Sequence, residues 1–227
     1  MSRLNEITVQ VHAQAFLEKR YRRKAQKGKL YSQLEARTKK KYGGKRADGL
    51  IAFKHWILGT YVISMEAKSY KTLPAIVPKT EVGILIWNSL RAGILISILT
   101  GAFFAFFKMD DGFLQILLPL NTLGAGALTY GIVTRNHFTH KTVSVVKQIG
   151  QYPANEQWLA FSQDSLNALS LIKIGQLKTI CQSRGIGILI VKPKGKVEVL
   201  IKAKYKLKWW GHFLKYYSSE KEVEMKI

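Results

Sequence analysis

The segment RADGLIAFKHWILGTYVISMEAK, residues 46–68, contains the two strands around which the other predicted elements are arranged. Its pattern predicts two neighbouring β-strands separated by a turn at Gly59, residues 46–54 and 60–68. Successive side chains of a strand point to opposite faces, so Glu66 and Lys68 share one face. Asp48 stands near the start of the first strand, where the end of the second strand returns to it. The sequence therefore predicts two carboxylates and a lysine at one point.

Two carboxylates and a lysine are the smallest set of side chains that metal-assisted hydrolysis of a phosphodiester requires. A hard divalent ion prefers carboxylate oxygens, polarises the phosphoryl oxygen and lowers the pKa of a bound water. Asp48 and Glu66 would supply the carboxylates for Mg²⁺ or Mn²⁺. Lys68 would orient or help to deprotonate the attacking water and offset charge on the phosphate.

The composition points to a polyanionic partner. The 227 residues contain 36 Lys and Arg against 14 Asp and Glu, a formal net charge of +22. This surplus favours nucleic acid or anionic lipid headgroups, and charge alone does not choose between them. The single cysteine, Cys181, excludes an internal disulfide and a cysteine-rich zinc site.

Before this stretch the pattern predicts a helix, a strand and a basic turn. The helix spans residues 5–24, with Asn5 as its N-cap, and the strand spans residues 30–38. We expect the apolar stripe of the helix to consist of Ile7, Val9, Val11, Ala15 and Phe16.

Two apolar runs, residues 82–107 and 113–133, follow the stretch. Spanning the hydrocarbon core takes roughly 20 apolar residues, so both are long enough, and the short polar turn at residues 108–112 makes them a hairpin. Basic residues flank the outer ends, which predicts a cytoplasmic N-terminus and C-terminus. The alternative is a buried helical hairpin of a soluble core, for which Arg91 is the main evidence.

After the hairpin we expect a helix, a βαβ unit and a further strand rich in lysine. The helix spans residues 138–151, and the strand, helix and strand of the βαβ unit span 157–162, 165–184 and 186–191. The further strand spans 197–208, with lysine at positions 202, 204, 206 and 208, and a basic aromatic tail follows.

The order of these elements resembles that of the PD-(D/E)xK, or restriction endonuclease-like, nuclease superfamily. Arg46-Ala47-Asp48-Gly49 stands where the family has its PD-type aspartate, and Glu66-Ala67-Lys68 where it has (D/E)xK. Glu6 resembles the acidic residue that many members carry on the first helix, with Glu18 as the weaker candidate. Gln148 and Tyr152 have the QxxxY spacing of the exonuclease-like branch. The chain departs from the family in lacking the proline before Asp48 and in carrying the apolar hairpin.

The resemblance implies an α/β (α+β) fold with an αβββαβ core that a two-helix transmembrane hairpin interrupts. The implied divisions are a first nuclease part, the hairpin, a second nuclease part and the tail, at residues 1–72, 82–133, 137–200 and 201–227. The implied metal ligands are Asp48, Glu66, the Ala67 carbonyl and Glu6. The implied catalytic set is Asp48, Glu66, Lys68, Glu6, Gln148 and Tyr152.

We therefore expect a membrane-tethered, Mg²⁺- or Mn²⁺-dependent nuclease that hydrolyses DNA on the cytoplasmic side, close to the inner membrane surface. RNA as a substrate and a homodimer both remain open. The competing hypothesis is an inactive, membrane-anchored adaptor that binds DNA or lipid through a nuclease-like fold. A small transporter or channel component is a poorer hypothesis, because two helices form no pathway without oligomerisation.

Overall fold

The computed structural model describes residues 3–107, 112–208 and 211–227. Most of the turn predicted at residues 108–112 and the Trp209-Trp210 pair of the tail lie outside the described residues. The chain forms two compact units, which are described separately. The sheet unit comprises Met1–Pro78 and Val143–Ile227, and the helical-pair unit comprises Lys79–Thr142.

The described helices and strands agree in order with most of the predicted elements. In chain order they are α1 (Glu6–Arg22), β1 (Leu30–Arg37), β2 (Arg46–His55), β3 (Gly59–Lys68), β4 (Lys79–Thr80), α2 (Val82–Phe106), α3 (Gly112–Thr134), β5 (Lys141–Thr142), α4 (Ser144–Ile149), β6 (Glu156–Ser162), α5 (Gln163–Asn167), α6 (Leu171–Ser183), β7 (Gly187–Val191), β8 (Val197–Ile201) and α7 (Glu220–Lys226).

The sheet unit contains a six-stranded mixed sheet in the order β1-β2-β3-β6-β7-β8. The first three strands are antiparallel neighbours, β6 and β7 run parallel to β3, and β8 is antiparallel to β7. The predicted α/β class is confirmed at this level. The pairing of β3 with β6 joins the segments that precede and follow the helical pair, so the sheet is continuous across the insertion.

Helices cover both faces of the sheet. α1 packs on one face, where Ile63, Met65 and Trp158 are buried beneath it. The opposite face carries α4, α5 and α6 over β3, β6 and β7, and α7 over β1. Side chains alternate along β3 as the period of a strand requires, so Val62 and Glu66 belong to the second face.

A hydrogen-bonded network of aromatic residues surrounds Glu156 at the start of β6. The hydroxyl groups of Tyr21 and Tyr61 both donate to its carboxylate, and the Trp158 Nε1–H donates to the Tyr21 oxygen over 3.0 Å. Glu156 is 8% exposed, so these three donors lie within the protein interior. The network ties α1 to the two central strands.

The apolar stripe predicted for α1 is confirmed for Val9 and Phe16, which pack in the core, and is wrong for Ile7, Val11 and Ala15, which are exposed. The fully buried apolar residues of the helix are Val9, Ala13, Leu17 and Tyr21. The helix turns a mixed face inward because Gln10 and Gln14 donate to the carbonyl oxygens of Asp48 and Leu50 on β2. The predicted Asn5 cap is confirmed, since its side chain accepts from the Thr8 amide at 2.7 Å.

Three predicted boundaries in the second half of the chain are wrong. The helix expected at 138–151 is a 3-10 turn over Phe138–His140 and an α-helix only over Ser144–Ile149, because Lys141–Thr142 pairs with Lys79–Thr80 instead. The helix expected at 165–184 divides into α5 and α6, because Ser170 caps a new helix by accepting from the Lys173 amide. The strand expected at 197–208 ends at Ile201, after an irregularity in its pairing with Ile188 and Leu189, and beyond it the Lys204 and Lys206 amides donate to the carbonyl oxygens of Gly185 and Asn155.

The helical-pair unit consists of α2 and α3, with β4 and β5 forming a two-stranded ribbon. The two helices are long and apolar enough to cross a membrane, and their apolar windows are only 11% and 6% buried. Close packing occurs where glycines meet, since a Cβ on Gly93 would lie 2.4 Å from the Leu123 carbonyl oxygen. Largely exposed apolar helices do not fit the alternative of a buried soluble hairpin.

Candidate functional site

The candidate site lies where β2 begins and β3 ends. Gly49 pairs with Met65, which places Asp48 opposite Glu66 on the neighbouring strand. The Asp48 Oδ2 accepts the backbone N–H of Ala67 at 2.8 Å, and the Asp48 carbonyl accepts from Gln10 on α1. The antiparallel register therefore produces the juxtaposition that the sequence predicted for the two carboxylates.

Glu66 and Lys68 form a buried ion pair on the shared face of β3. The Lys68 Nζ lies 2.7 Å from the Glu66 Oε1, and the two side chains are 8% and 1% exposed. The same Oε1 accepts from the Gln148 Nε2 at 2.6 Å. The other oxygen, Oε2, is buried and has no hydrogen-bond partner among the described residues. The Glu66 Oε1 thus accepts two hydrogen bonds, and the Oε2 accepts none from the described residues.

Glu6 reaches the site from the first turn of α1. Its Oε1 lies 3.3 Å from the Lys68 Nζ, and its Oε2 accepts the hydroxyl of Thr72 at 2.9 Å. Glu18, the weaker candidate, does not reach the site, because it lies three turns further along α1 and accepts the hydroxyl of Ser32. Of the two predicted acidic positions, the structure brings only Glu6 to Lys68.

Gln148 and Tyr152 approach the site from α4 and the turn after it. The Gln148 side chain donates to Glu66 as described, and it lies 3.3 Å from the Tyr152 hydroxyl. The backbone carbonyl of Tyr152 accepts from Ser64 on β3 and from Gln157 on β6. The structure therefore brings Gln148 to Glu66, and Tyr152 to Gln148, in spite of the residues inserted between β3 and α4.

Burial and mutual repulsion set the protonation of the carboxylates. Burial, with the charge of Asp48 adding to it, raises the pKa of Glu66 to about 7. Burial also raises the pKa of Asp48, against the Ala67 amide and the Lys68 charge, which lower it. Burial alone would lower the pKa of Lys68, but the carboxylates of Glu66, Asp48 and Glu6 outweigh it and raise the pKa. The positive charge of Lys68 therefore stabilises the ionised carboxylates of Glu66, Asp48 and Glu6.

The donor set fits a hard divalent cation. Glu66 offers a buried oxygen without a hydrogen-bond partner among the described residues, directly across the strands from Asp48. Carboxylate oxygens are the ligands that Mg²⁺ and Mn²⁺ prefer. Both Glu6 oxygens are instead engaged by Lys68 and Thr72. Asp48 and Glu66 are thus the strongest candidates for direct ligands.

Comparison with protein-family models, with curated proteins and with solved structures finds no significant match. These comparisons therefore give no indication of the function. The interpretation of the site therefore rests on its own residues and on their geometry.

Sequence reasoning missed the polar residues that hold the site in place. Thr72 and Ser69 form a capping box after β3, in which the Ser69 amide donates to the Thr72 hydroxyl at 3.0 Å. Gln10 supports Asp48 from α1. Signals for both were present, since the Ser-x-x-Thr spacing is typical of a cap and Glu6, Gln10 and Gln14 recur at the four-residue spacing of one helix face.

A second group of ligand-type residues lies away from this site. Among the described residues, His212, Glu220 and Glu224 each place one ligand atom within 4.8 Å of the others. Glu220 already pairs with Lys39 at 2.5 Å, and Glu224 is exposed. This group is therefore a weaker candidate for a metal than the buried Glu66 with Asp48.

Proposed function

We propose that this protein is a membrane-tethered, divalent-metal-dependent nuclease with a restriction endonuclease-like core of the PD-(D/E)xK type, acting on DNA. The observation that carries the proposal is the buried Glu66 Oε2. It has no hydrogen-bond partner among the described residues and stands beside a second carboxylate and a lysine. A buried polar atom left unpaired costs free energy, so such an atom in a carboxylate cluster indicates a ligand.

Each side chain has a chemical role in this proposal. Asp48 and Glu66 hold the ion, which when bound polarises the phosphoryl oxygen and lowers the pKa of its water. Hydrolysis joins the water oxygen to phosphorus and breaks one P–O ester bond, and the departing oxygen gains a proton. Lys68 carries a positive charge because its pKa is raised, so it is suited to compensating charge that develops on the phosphate.

The surrounding residues keep these groups oriented. Gln148 fixes the Glu66 Oε1 from α4, and Glu6 with Thr72 positions the Lys68 ammonium group. Groups that orient a metal ligand in this way typically change metal affinity or activity by about 10- to 100-fold when removed.

The tether is the helical pair, which joins the sheet unit at Pro78 and Val143. Two apolar helices with exposed side chains support membrane insertion. The basic residues that flank them, Lys79 and Lys141 among others, support a cytoplasmic position for the sheet unit by the positive-inside tendency.

The test is DNA cleavage by the detergent-solubilised full chain with Mg²⁺, with Mn²⁺ and with EDTA. We expect metal-dependent cleavage that Asp48→Asn and Lys68→Met abolish or reduce by about 10²–10⁴-fold. Matched controls are Glu198→Gln and Lys226→Met, an acidic and a basic residue with their own partners outside the site.

Wild-type cleavage in Asp48→Asn or Lys68→Met would refute the assignment of the site. Salt-sensitive DNA binding without metal-dependent cleavage in any condition would instead indicate the non-enzymatic adaptor.

A further inference from the structure

An exposed group of aromatic and basic side chains lies at the turn between β1 and β2. Tyr42 in this turn is 38% exposed, and its ring contacts that of Tyr216 edge-on, with 4.6 Å between ring centroids. Tyr216 belongs to a short helical turn that precedes α7. We call this group the tyrosine–lysine cluster, and its members are Tyr42, Tyr216, Phe213, Lys41, Lys208 and Lys215.

Each lysine of the cluster lies near an aromatic ring. The Lys208 Nζ is 4.3 Å from the centroid of the Tyr216 ring, the Lys215 Nζ is 5.5 Å from it, and the Lys41 Nζ is 5.1 Å from that of Tyr42. Cations at this distance are attracted to the ring face. The arrangement puts positive charge and flat apolar surface side by side, which matches the alternation of phosphate and base along a nucleic acid strand.

Positive charge is crowded in the cluster. Burial, with the neighbouring Lys215 adding to it, lowers the pKa of Lys208 to about 8. The nearby Glu220 is already engaged by Lys39, and Lys40, Lys41 and Lys45 are all exposed. A bound anion would relieve this crowding, so the surface is complementary to phosphate groups.

The cluster lies at the same end of the sheet as the candidate site. β1 ends at Arg37 and β2 begins at Arg46, so the turn that holds Tyr42 joins the strands at the end where Asp48 stands. Leu214 and Tyr217, which flank Tyr216, pack with Val62 on the sheet face that also carries Glu66. A strand lying on the cluster therefore has a short path to the carboxylates.

We propose that the tyrosine–lysine cluster binds single-stranded nucleic acid, with bases on Tyr42 and Tyr216 and phosphates on the lysines, and so guides one strand to Asp48 and Glu66. The inference rests on the proposed function for its choice of polymer. It selects a single strand because the base faces of a duplex are already stacked on each other. Stacking on an aromatic side chain is worth about 1–3 kcal/mol per base and tolerates any sequence.

The test is binding of a labelled single strand and of a matched duplex to the detergent-solubilised full chain in EDTA, measured by fluorescence anisotropy. Because EDTA removes the metal, the measurement is independent of cleavage, and a failure here is separate from a failure of the proposed function. We expect the single strand to bind several-fold more tightly than the duplex. Tyr42→Ala should weaken single-strand binding about fivefold or more, and Tyr42→Phe should retain it.

The control is Trp56→Ala. Trp56 is an exposed aromatic residue in the turn between β2 and β3, at the opposite end of the sheet from Tyr42. We expect this variant to bind like the wild type, and circular dichroism would verify that each variant is folded. Tyr42 lies in an exposed turn, so its replacement leaves the core intact.

Two results would overturn the inference. The first is unchanged single-strand binding in Tyr42→Ala, and if that variant at the same time loses binding to phosphatidylglycerol vesicles, the cluster is a membrane contact. The second is an equal loss of single-strand binding in Trp56→Ala.

Discussion

Glu66 on β3 and Glu156 on β6 are both buried carboxylates in the same sheet, and their surroundings differ. Glu156 accepts hydroxyl groups on both oxygens, from Tyr21 and Tyr61. Burial raises the pKa of Tyr61, and Glu156 raises it further, so the hydroxyl remains a donor. Each oxygen of the buried Glu156 carboxylate thus accepts a hydrogen bond from a neutral donor of the protein.

Glu66 is satisfied on one side only. Its Oε1 accepts from Lys68 and Gln148, whereas its Oε2 has no partner among the described residues and Asp48 stands opposite. A buried carboxylate with a structural role is normally satisfied by donors, whereas an unsatisfied carboxylate beside a like charge is a candidate ligand. The difference between the two glutamates therefore supports the proposed role of Glu66.

The largest expected difference between the two glutamates is in catalysis. Glu66→Gln should reduce metal-dependent DNA cleavage by about 10²–10⁴-fold, since it removes a ligand charge from the site. Glu156→Gln should leave the rate per folded molecule within about twofold. Cleavage assays on both purified variants check this, and a similar loss in both would erase the distinction.

The second-largest expected effect is a loss of stability when Glu156 is replaced. Glu156→Ala leaves the buried hydroxyls of Tyr21 and Tyr61 without their acceptor, which should cost about 2–4 kcal/mol of unfolding free energy. Glu66→Ala should cost less, because it also removes a buried charge from an acidic cluster. Urea unfolding followed by tryptophan fluorescence compares them, and a greater loss in Glu66→Ala would contradict the structural role of Glu156.

A third difference is in the pH dependence of stability. The pKa of Glu66 is raised to about 7, so between its ordinary value and pH 7 the folded chain keeps a proton that the unfolded chain has lost. The free energy of unfolding in EDTA should therefore fall by roughly 2 kcal/mol as the pH rises from 5 to 7, and it should level off above pH 7. Glu66→Gln should lack this component. The same slope of Tm against pH in the wild type and in Glu66→Gln would contradict the raised pKa of Glu66.

The smallest effect concerns Gln148, which is one of the two donors to the Glu66 Oε1. Gln148→Ala removes this hydrogen bond and should lower the rate of DNA cleavage about tenfold. Gln151→Ala, which changes an exposed glutamine in the same region, is the control and should be silent. A rate in Gln148→Ala equal to that of the control would mean that Gln148 is a bystander.

The sequence predicted the part of the site that lies on adjacent strands. Alternation along residues 60–68 placed Glu66 and Lys68 on one face, and the hairpin brought Asp48 opposite, because both relations follow from local geometry. The pairing of β3 with β6 depends on residues on either side of the insertion, and no local pattern encodes it. The hydrogen bond from Gln148 to Glu66 depends on that pairing, so the QxxxY spacing alone did not establish it.

Errors arose where tertiary contacts overruled local pattern. The inward face of α1 carries Gln10 and Gln14, which look like solvent-facing residues until their carbonyl partners on β2 are known. The strand expected at 197–208 ended at Ile201 because its pairing with β7 is irregular and the residues after it bond to Gly185 and Asn155, which lie in other segments of the chain. In both cases the deciding information lay outside the window in which the pattern was measured.

The continuity of β3 with β6 has a consequence for synthesis of the chain. Asp48, Glu66 and Lys68 leave the ribosome well before residues 69–155 have been made, and Gln148 and β6 follow only after the apolar helices. At about 5–20 residues per second, the interval is on the order of ten seconds. During that time β3 is an unpaired edge. The nascent chain therefore carries an incomplete site until α2 and α3 have been made, and under the proposed function this order would delay hydrolysis until the apolar helices exist.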